Sequence, residues 1–201
     1  MPTLDYSTTK TSPATLLEAV NMLLRAVGRS SVMSLDPSRL DQTAVSALEA
    51  INEESVRVQS KGWNFNTEEE FPAQPNTDGH IVLPASWVRV KLHPRSGSLR
   101  TVQRAGKLYD KVKRTFVFED TVYLNIIKVL PFEDVPPAVR YYIVARAGRI
   151  FGPGKVPDSS TYRFTKAEED IAESEALQAD TEDEGNNLPE ASPHFMTMRQ
   201  R

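Results

Sequence analysis

The period of the apolar residues changes twice along this chain, and those switches constrain its fold more than any other feature. Leu16, Leu17, Val20, Leu23, Leu24 and Val27 recur at helical spacing. They follow Ser12-Pro13, an N-cap with proline at the first helical position, and Gly28 stands where a helix ends. The pattern predicts a helix from about Pro13 to Val27. Asp36-Pro37 opens a second one, with Leu40, Ala44, Ala47, Leu48, Ile51 and Val58 as its stripe and Gly62 at its end. From Trp63 to Leu130, β-branched and aromatic residues come instead in short runs between turn residues. The runs predict strands at Trp63–Phe71, His80–Leu83, Val88–His93, Leu99–Arg104, Lys107–Tyr109, Thr115–Phe118 and Val122–Leu130. Turns fall at 75–79, at 94–97 and at Ala105-Gly106. Helix returns at Pro136-Pro137, with Val139, Tyr142, Ile143, Ala147 and Ile150 as its buried face, and Gly152-Pro153-Gly154 breaks it. A fourth helix, from about Thr165 to Asp183, has only a thin stripe of Ala167, Ile171 and Leu177.

These elements predict an α+β fold, an antiparallel helix bundle with an inserted antiparallel β-sheet and a flexible C-terminal tail. Residues 1–11 read as an N-terminal arm. Residues 12–184 read as a single domain, with helices in 12–62 and 136–184 around a β insertion at 63–130, and residues 185–201 form the tail. Leu16, Leu23, Leu48, Ile51, Ile143 and Ile150 are expected to share one core.

Chemistry is narrowed by what the residues lack. Without cysteine there are no disulfides, thiolate nucleophiles or Cys-ligated zinc. His80, His93 and His194 lie far apart, with no pair at helical metal-ligand spacing, so neither a metal nor a cofactor is expected. Gly152-Pro153-Gly154-Lys155 has a phosphate-loop look, but it follows a helix, with Arg149 where a P-loop needs glycine and Val156 where it needs Ser or Thr. The carboxylate pairs Glu68-Glu69-Glu70, Glu119-Asp120 and Glu133-Asp134 fit solvated turns and strand edges. No catalytic residue is assigned. No run of apolar residues is long enough to span a bilayer, and Met1-Pro2-Thr3-Leu4-Asp5 lacks the basic and apolar regions of a secretory signal.

Charge is unevenly spread. The net charge is only −3. Yet nine cations between Ser86 and Arg114 face one acid, Asp110, while ten acids between Thr165 and Glu190 face only Lys166. A basic ribbon of this kind binds either nucleic-acid backbone or an acidic protein surface, and a solvated face is the plain alternative. The ribbon lacks the interleaved exposed aromatics of a single-strand platform. The acidic helix, poor in large apolar residues, is expected to face solvent or a channel.

Two motifs then carry a resemblance: Gln59-Ser60-Lys61-Gly62-Trp63-Asn64-Phe65-Asn66, and Pro136-Pro137-Ala138-Val139-Arg140-Tyr141-Tyr142-Ile143-Val144 just after Phe132-Glu133-Asp134. Lys166-Ala167-Glu168-Glu169-Asp170 and the opening helices, with Ala19-Val20-Asn21 and Val27-Gly28, fit the same pattern. With these, the chain resembles the tail tubular protein A family, the head-to-tail adaptors of T7-like short-tailed bacteriophages. The resemblance implies a virion protein of the phage tail. It implies a twelve-copy ring between the portal protein and the nozzle (tail tubular protein B), with tail fibres bound around the adaptor–nozzle junction. DNA would pass through the ring during genome ejection without specific binding. A tail-associated polysaccharide hydrolase and a nucleic-acid-binding module are the alternatives.

Within that frame Arg89, Lys91, Arg100, Arg104 and Lys107 are candidate partner contacts, set away from the lumen. Acidic helix surface is expected near the lumen or on the exposed wall. Phe195, Met196 and Met198 in the tail read as a docking segment, with the portal as its expected acceptor.

Overall fold

The computed structural model of the chain describes residues 12–153, 155 and 162–186. The arm at 1–11 and the docking segment with Phe195, Met196 and Met198 lie outside the described residues. Helix α1 spans Leu16–Ala26. Its N-cap is Thr15 rather than Ser12, because the Thr15 hydroxyl accepts from the Glu18 amide at 3.2 Å while the Glu18 carboxylate accepts from the Ala14 amide at 2.7 Å. Ser12 instead donates to the Pro137 carbonyl at 2.6 Å, tying the start of α1 to a later helix. Asp36-Pro37 does not open the second helix. It forms a separate 3-10 turn, Leu40 returns to extended backbone, and α2 (Gln42–Gln59) starts at Asp41, whose carboxylate accepts from Ala44 N at 2.7 Å.

Trp63–Phe71 is also not one strand. Trp63 caps a 3-10 turn at Asn64–Asn66, and β1 begins only at Thr67 (Thr67–Ala73). The turn forms because the Asn66 side chain accepts from Trp63 N at 2.9 Å, which bends the chain before pairing can begin. Strands β2 (Trp87–Leu92), β3 (Thr101–Arg104), β4 (Lys107–Asp110) and β5 (Val122–Lys128) follow. They form a three-stranded antiparallel sheet in the order β1-β5-β2 and a separate β3-β4 hairpin. The hairpin closes at Ala105-Gly106, both with positive φ, as a two-residue turn requires. His80–Leu83 and Thr115–Phe118, expected as strands, make only the single bridges His80↔Val117, Val82↔Lys107 and Asp110↔Thr115.

Helices α3 (Pro137–Phe151) and α4 (Lys166–Asn186) complete the described chain. Two cores result. The helical one gathers Val20, Leu23, Ile51, Val58, Tyr142 and Ile143, with Trp63 delivered into it by the 3-10 turn. The β core gathers Ile81, Leu108, Leu124 and Ile126 beneath Trp87. Of the six residues expected to share one core, Leu23, Ile51 and Ile143 are fully buried, and Leu16 and Leu48 pack against that core half-buried. Ile150 is the exception at 47% exposed, since the last turn of α3 buries Phe151 in its place.

The joint between the cores is polar and saturated. Gln59, fully buried, donates to the Leu130 carbonyl at 3.1 Å and accepts from the Leu130 amide at 2.8 Å. Asn66 donates to the carbonyls of Gln59 at 2.9 Å and Lys128 at 2.7 Å. Between them Gly62 has φ +85°, and a Cβ there would come within 2.6 Å of Ile127 on β5, so both backbone and space call for glycine. The motif of residues 59–66 is the fastener between helices and sheet.

Candidate functional site

The basic surface is built on two sheets, not one ribbon. Arg89 and Lys91 stand on β2, and Arg104 and Lys107 stand opposite each other at the closed end of β3-β4. Arg100 is exposed just before β3. Arg89 donates to the Ser60 carbonyl at 3.0 Å and so braces β2 against the end of α2. Arg95 pairs with Glu70 and stacks 4.2 Å from the Tyr123 ring centre, and this pairing lowers the Glu70 carboxyl below its usual range. Arg104 lies 4.3 Å over Tyr109, which meets Phe116 edge-on at 4.9 Å. Lys107 Nζ is 3.1 Å from His80 Nδ1. Among the described residues Lys91, Arg100, Arg104, Lys107, Lys111, Lys113 and Arg114 make no ion pair.

Beside this surface a cleft of about 470 Å³ opens between Arg95, Asp110, Lys113, Glu119, Asp120 and Tyr123. Asp110 is buried in its wall, and its Oδ1 accepts from the amides of Val112 at 2.7 Å and Lys113 at 3.1 Å. The described residues hold no cluster of His, Asp or Glu able to grip a metal ion.

The acidic helix does not simply face outward. Ala172 and Ala176 are fully buried against α3 and Glu169 is 1% exposed, so the inner stripe consists of small and charged residues. The expected stripe points the other way: Ala167 is exposed, Ile171 is 56% exposed and Leu177 53%. Glu169 pairs with Arg146 at 3.0 Å and with Arg149, and Arg146 also pairs with Glu54 of α2. Farther along, Glu173 receives the Lys61 ammonium at 2.5 Å, and Lys61 also donates to the Tyr142 hydroxyl at 2.8 Å. Burial pulls the Lys61 pKa down, but those two hydrogen bonds outweigh it and hold it above its ordinary value. The same ammonium holds the Glu173 carboxyl low. Tyr141 donates to Glu168, and Asp180 accepts from Asn64 N at 2.9 Å. Residues along most of α4 thus reach back to α3 and the fastener, and through Arg146 to α2.

At its start α4 is pinned by aromatic rings. Phe164 lies on Gly148 of α3 and Tyr162 on Gly152 just past its end, where any Cβ would collide with them, and Tyr162 donates to the Gly148 carbonyl at 2.6 Å. Burial pushes the Tyr162 hydroxyl up to about 12. In sequence Gly152 reads only as a helix terminus. The one signal for the seat is the spacing of four between the two glycines, with two aromatics downstream.

A family model described as tail tubular protein matches residues 17–186, from the start of α1 to the end of α4. The chain belongs to the tail tubular protein family. A relative, tail tubular protein A of Klebsiella phage KP34, is 32% identical over 120 residues, covering 60% of this chain and 62% of that protein. The aligned part therefore spans less than two thirds of the relative's length. Family membership assigns the chain a structural role in the phage tail and places it in the virion. Apart from Leu16, the first residue of α1, every element described above, including both cores and the 59–66 fastener, falls within the span of the tail tubular match.

Proposed function

We propose that this tail tubular protein assembles into a closed adaptor ring, twelve copies by the family resemblance, between the portal protein and the nozzle. The ring surrounds the channel through which DNA leaves the capsid and carries the attachment region of the tail fibres. The match from residue 17 to 186 carries this reading. Two features of the surface support it. A helical body with α4 clamped to α3 by ion pairs and aromatic rings suits a subunit that must keep its shape within an assembly. A set of cations without ion-pair partners among the described residues suits an assembly surface. A ring requires two different complementary faces on each subunit, because a heterologous contact closes only by repetition around an axis.

In this reading residues 12–184 are one building block. Arg89, Lys91, Arg100, Arg104 and Lys107 face a neighbouring protein of the tail, and the lumen is left without strong phosphate contacts so that DNA slides. Residues 185–201 dock on the portal through Phe195, Met196 and Met198, and deleting 190–201 weakens portal attachment while the fold persists. The chain has no catalytic role; turnover of an envelope polysaccharide that one carboxylate-to-amide change abolishes would overturn that statement. Light-scattering mass of the purified chain tests the whole reading. A discrete high-mass ring is expected, and a monomer at every concentration would refute it.

A further inference from the structure

The register of the β3-β4 hairpin defines a face that neither core uses. Directly paired antiparallel residues point to the same side of a sheet, and side chains alternate along each strand. On one side of β4 lie Leu108 and Asp110, both buried. On the other lie Lys107 and Tyr109, paired with Arg104 and Val102, and Val82 pairs with Lys107 at the next position out. Val82 is 57% exposed, and beyond it Val117, paired with His80, is 50% exposed. Apolar side chains and two cations, Lys107 and the Arg104 guanidinium stacked on Tyr109, therefore share one outer face. Isolated exposed valines mean little by themselves, but here they border Tyr109 and Arg104, residue types enriched where partners bind.

The helical body carries a surface of complementary chemistry. With Glu169, Ala172 and Ala176 turned into α3, the stripe Ile171, Glu175, Gln178 and Glu182 runs along the outer side of α4 at spacings of four, three and four. Ile171 is a large apolar residue left more than half exposed. Glu175 and Glu182 pair with no cation among the described residues.

We infer that the outer face of the β3-β4 hairpin of one copy docks on the outer stripe of α4 of the next copy. This rests on the ring reading and names its two faces. Arg104 and Lys107 meet Glu175 and Glu182, while Val82 and Val117 cover Ile171. The occupant is a second copy because one chain displays both halves on different elements, which is what a heterologous contact requires. A nucleic-acid partner fits less well, since Tyr109 lies under Arg104 and is not free to stack on bases.

Charge exchange in the full chain tests the contact, with mass read by sedimentation at low and high salt and folding checked by circular dichroism. R104E/K107E and E175K/E182K should each lose the assembled species, and the fourfold variant carrying both should regain it. I171D, at a surface position that leaves the fold intact, should also lose assembly. If the wild type forms rings and the reversed variants form them equally well, the docking inference fails while the ring reading stands. If R104E/K107E alone blocks assembly and the α4 variants do not, α4 is not the occupant and the inference fails. A wild type that stays monomeric overturns ring and contact together. A monomer that binds duplex DNA through Arg104 and Lys107 also overturns both, and makes the face a nucleic-acid site.

Discussion

The helical body and the β unit treat charge in opposite ways. In the helical body, acids and arginines are turned inward: Glu54, Arg146, Glu169 and Arg149 form one chain of ion pairs between α2, α3 and α4. Such pairs add little net stability over a well-packed apolar core, but removing one member leaves an uncompensated buried charge. They therefore fix where α4 sits. In the β unit the core is apolar and small, and the cations stand outside it, several without any ion-pair partner among the described residues. A charge-rich segment is therefore not by itself a surface. The acids of α4 are largely structural, whereas the cations of β3-β4 are available.

The sharpest break of that contrast is at the seat of α4. Phe164→Ala removes the ring lying on Gly148 and should lower unfolding stability by roughly 3–5 kcal/mol through lost burial and a cavity. Chemical denaturation should find this loss, and hydrogen exchange should show α4 opening before the β unit. A loss under about 1 kcal/mol would mean that α4 is not part of the helical body.

Next in size is Glu169→Ala, which strands Arg149 while Arg146 keeps Glu54. Arg149 is 36% exposed and keeps part of its hydration, so the expected loss is about 1–3 kcal/mol. A neutral result would make the network decorative and remove the contrast between the two regions.

A smaller effect comes from pH. Burial raises the Tyr162 hydroxyl to about 12, against roughly 10 in an unfolded chain. The folded state holds that proton more tightly, so its contribution is full below pH ~10 and is lost as pH rises toward 12. Tyr162→Phe keeps the ring but titrates nothing, so its stability should fall less steeply than the wild type's over that interval. Parallel curves would contradict the buried hydroxyl.

The smallest expected change is R104E/K107E, which should alter stability by no more than about 0.5 kcal/mol, because both cations stand outside the β core. A large loss would mean that these residues hold the fold rather than present a surface.

How much of this is legible in sequence follows from what each region uses. The stripes of α1, α2 and α3 are built from large apolar residues, and spacing alone locates them. The inner stripe of α4 uses Ala172, Ala176 and Glu169, which a scale that rewards Leu and Ile passes over. Trp63 reads as a strand residue because its neighbours are aromatic, but the Asn66 side chain takes the Trp63 amide and turns the chain first. In the basic region the charge excess is plain, yet its division is not. Arg89 binds the carbonyl of Ser60, and a backbone acceptor leaves no trace in a sequence. The sharing of one face by Arg104, Lys107, Val82 and Val117 depends on bridges between segments that are too short to read as strands.

Negative-stain imaging of the purified chain, alone and mixed with the portal protein proposed as its partner, decides between ring and monomer. Closed rings of the chain alone, stacked coaxially on the portal in the mixture, are expected. Dispersed monomers that leave portals bare would contradict the ring reading.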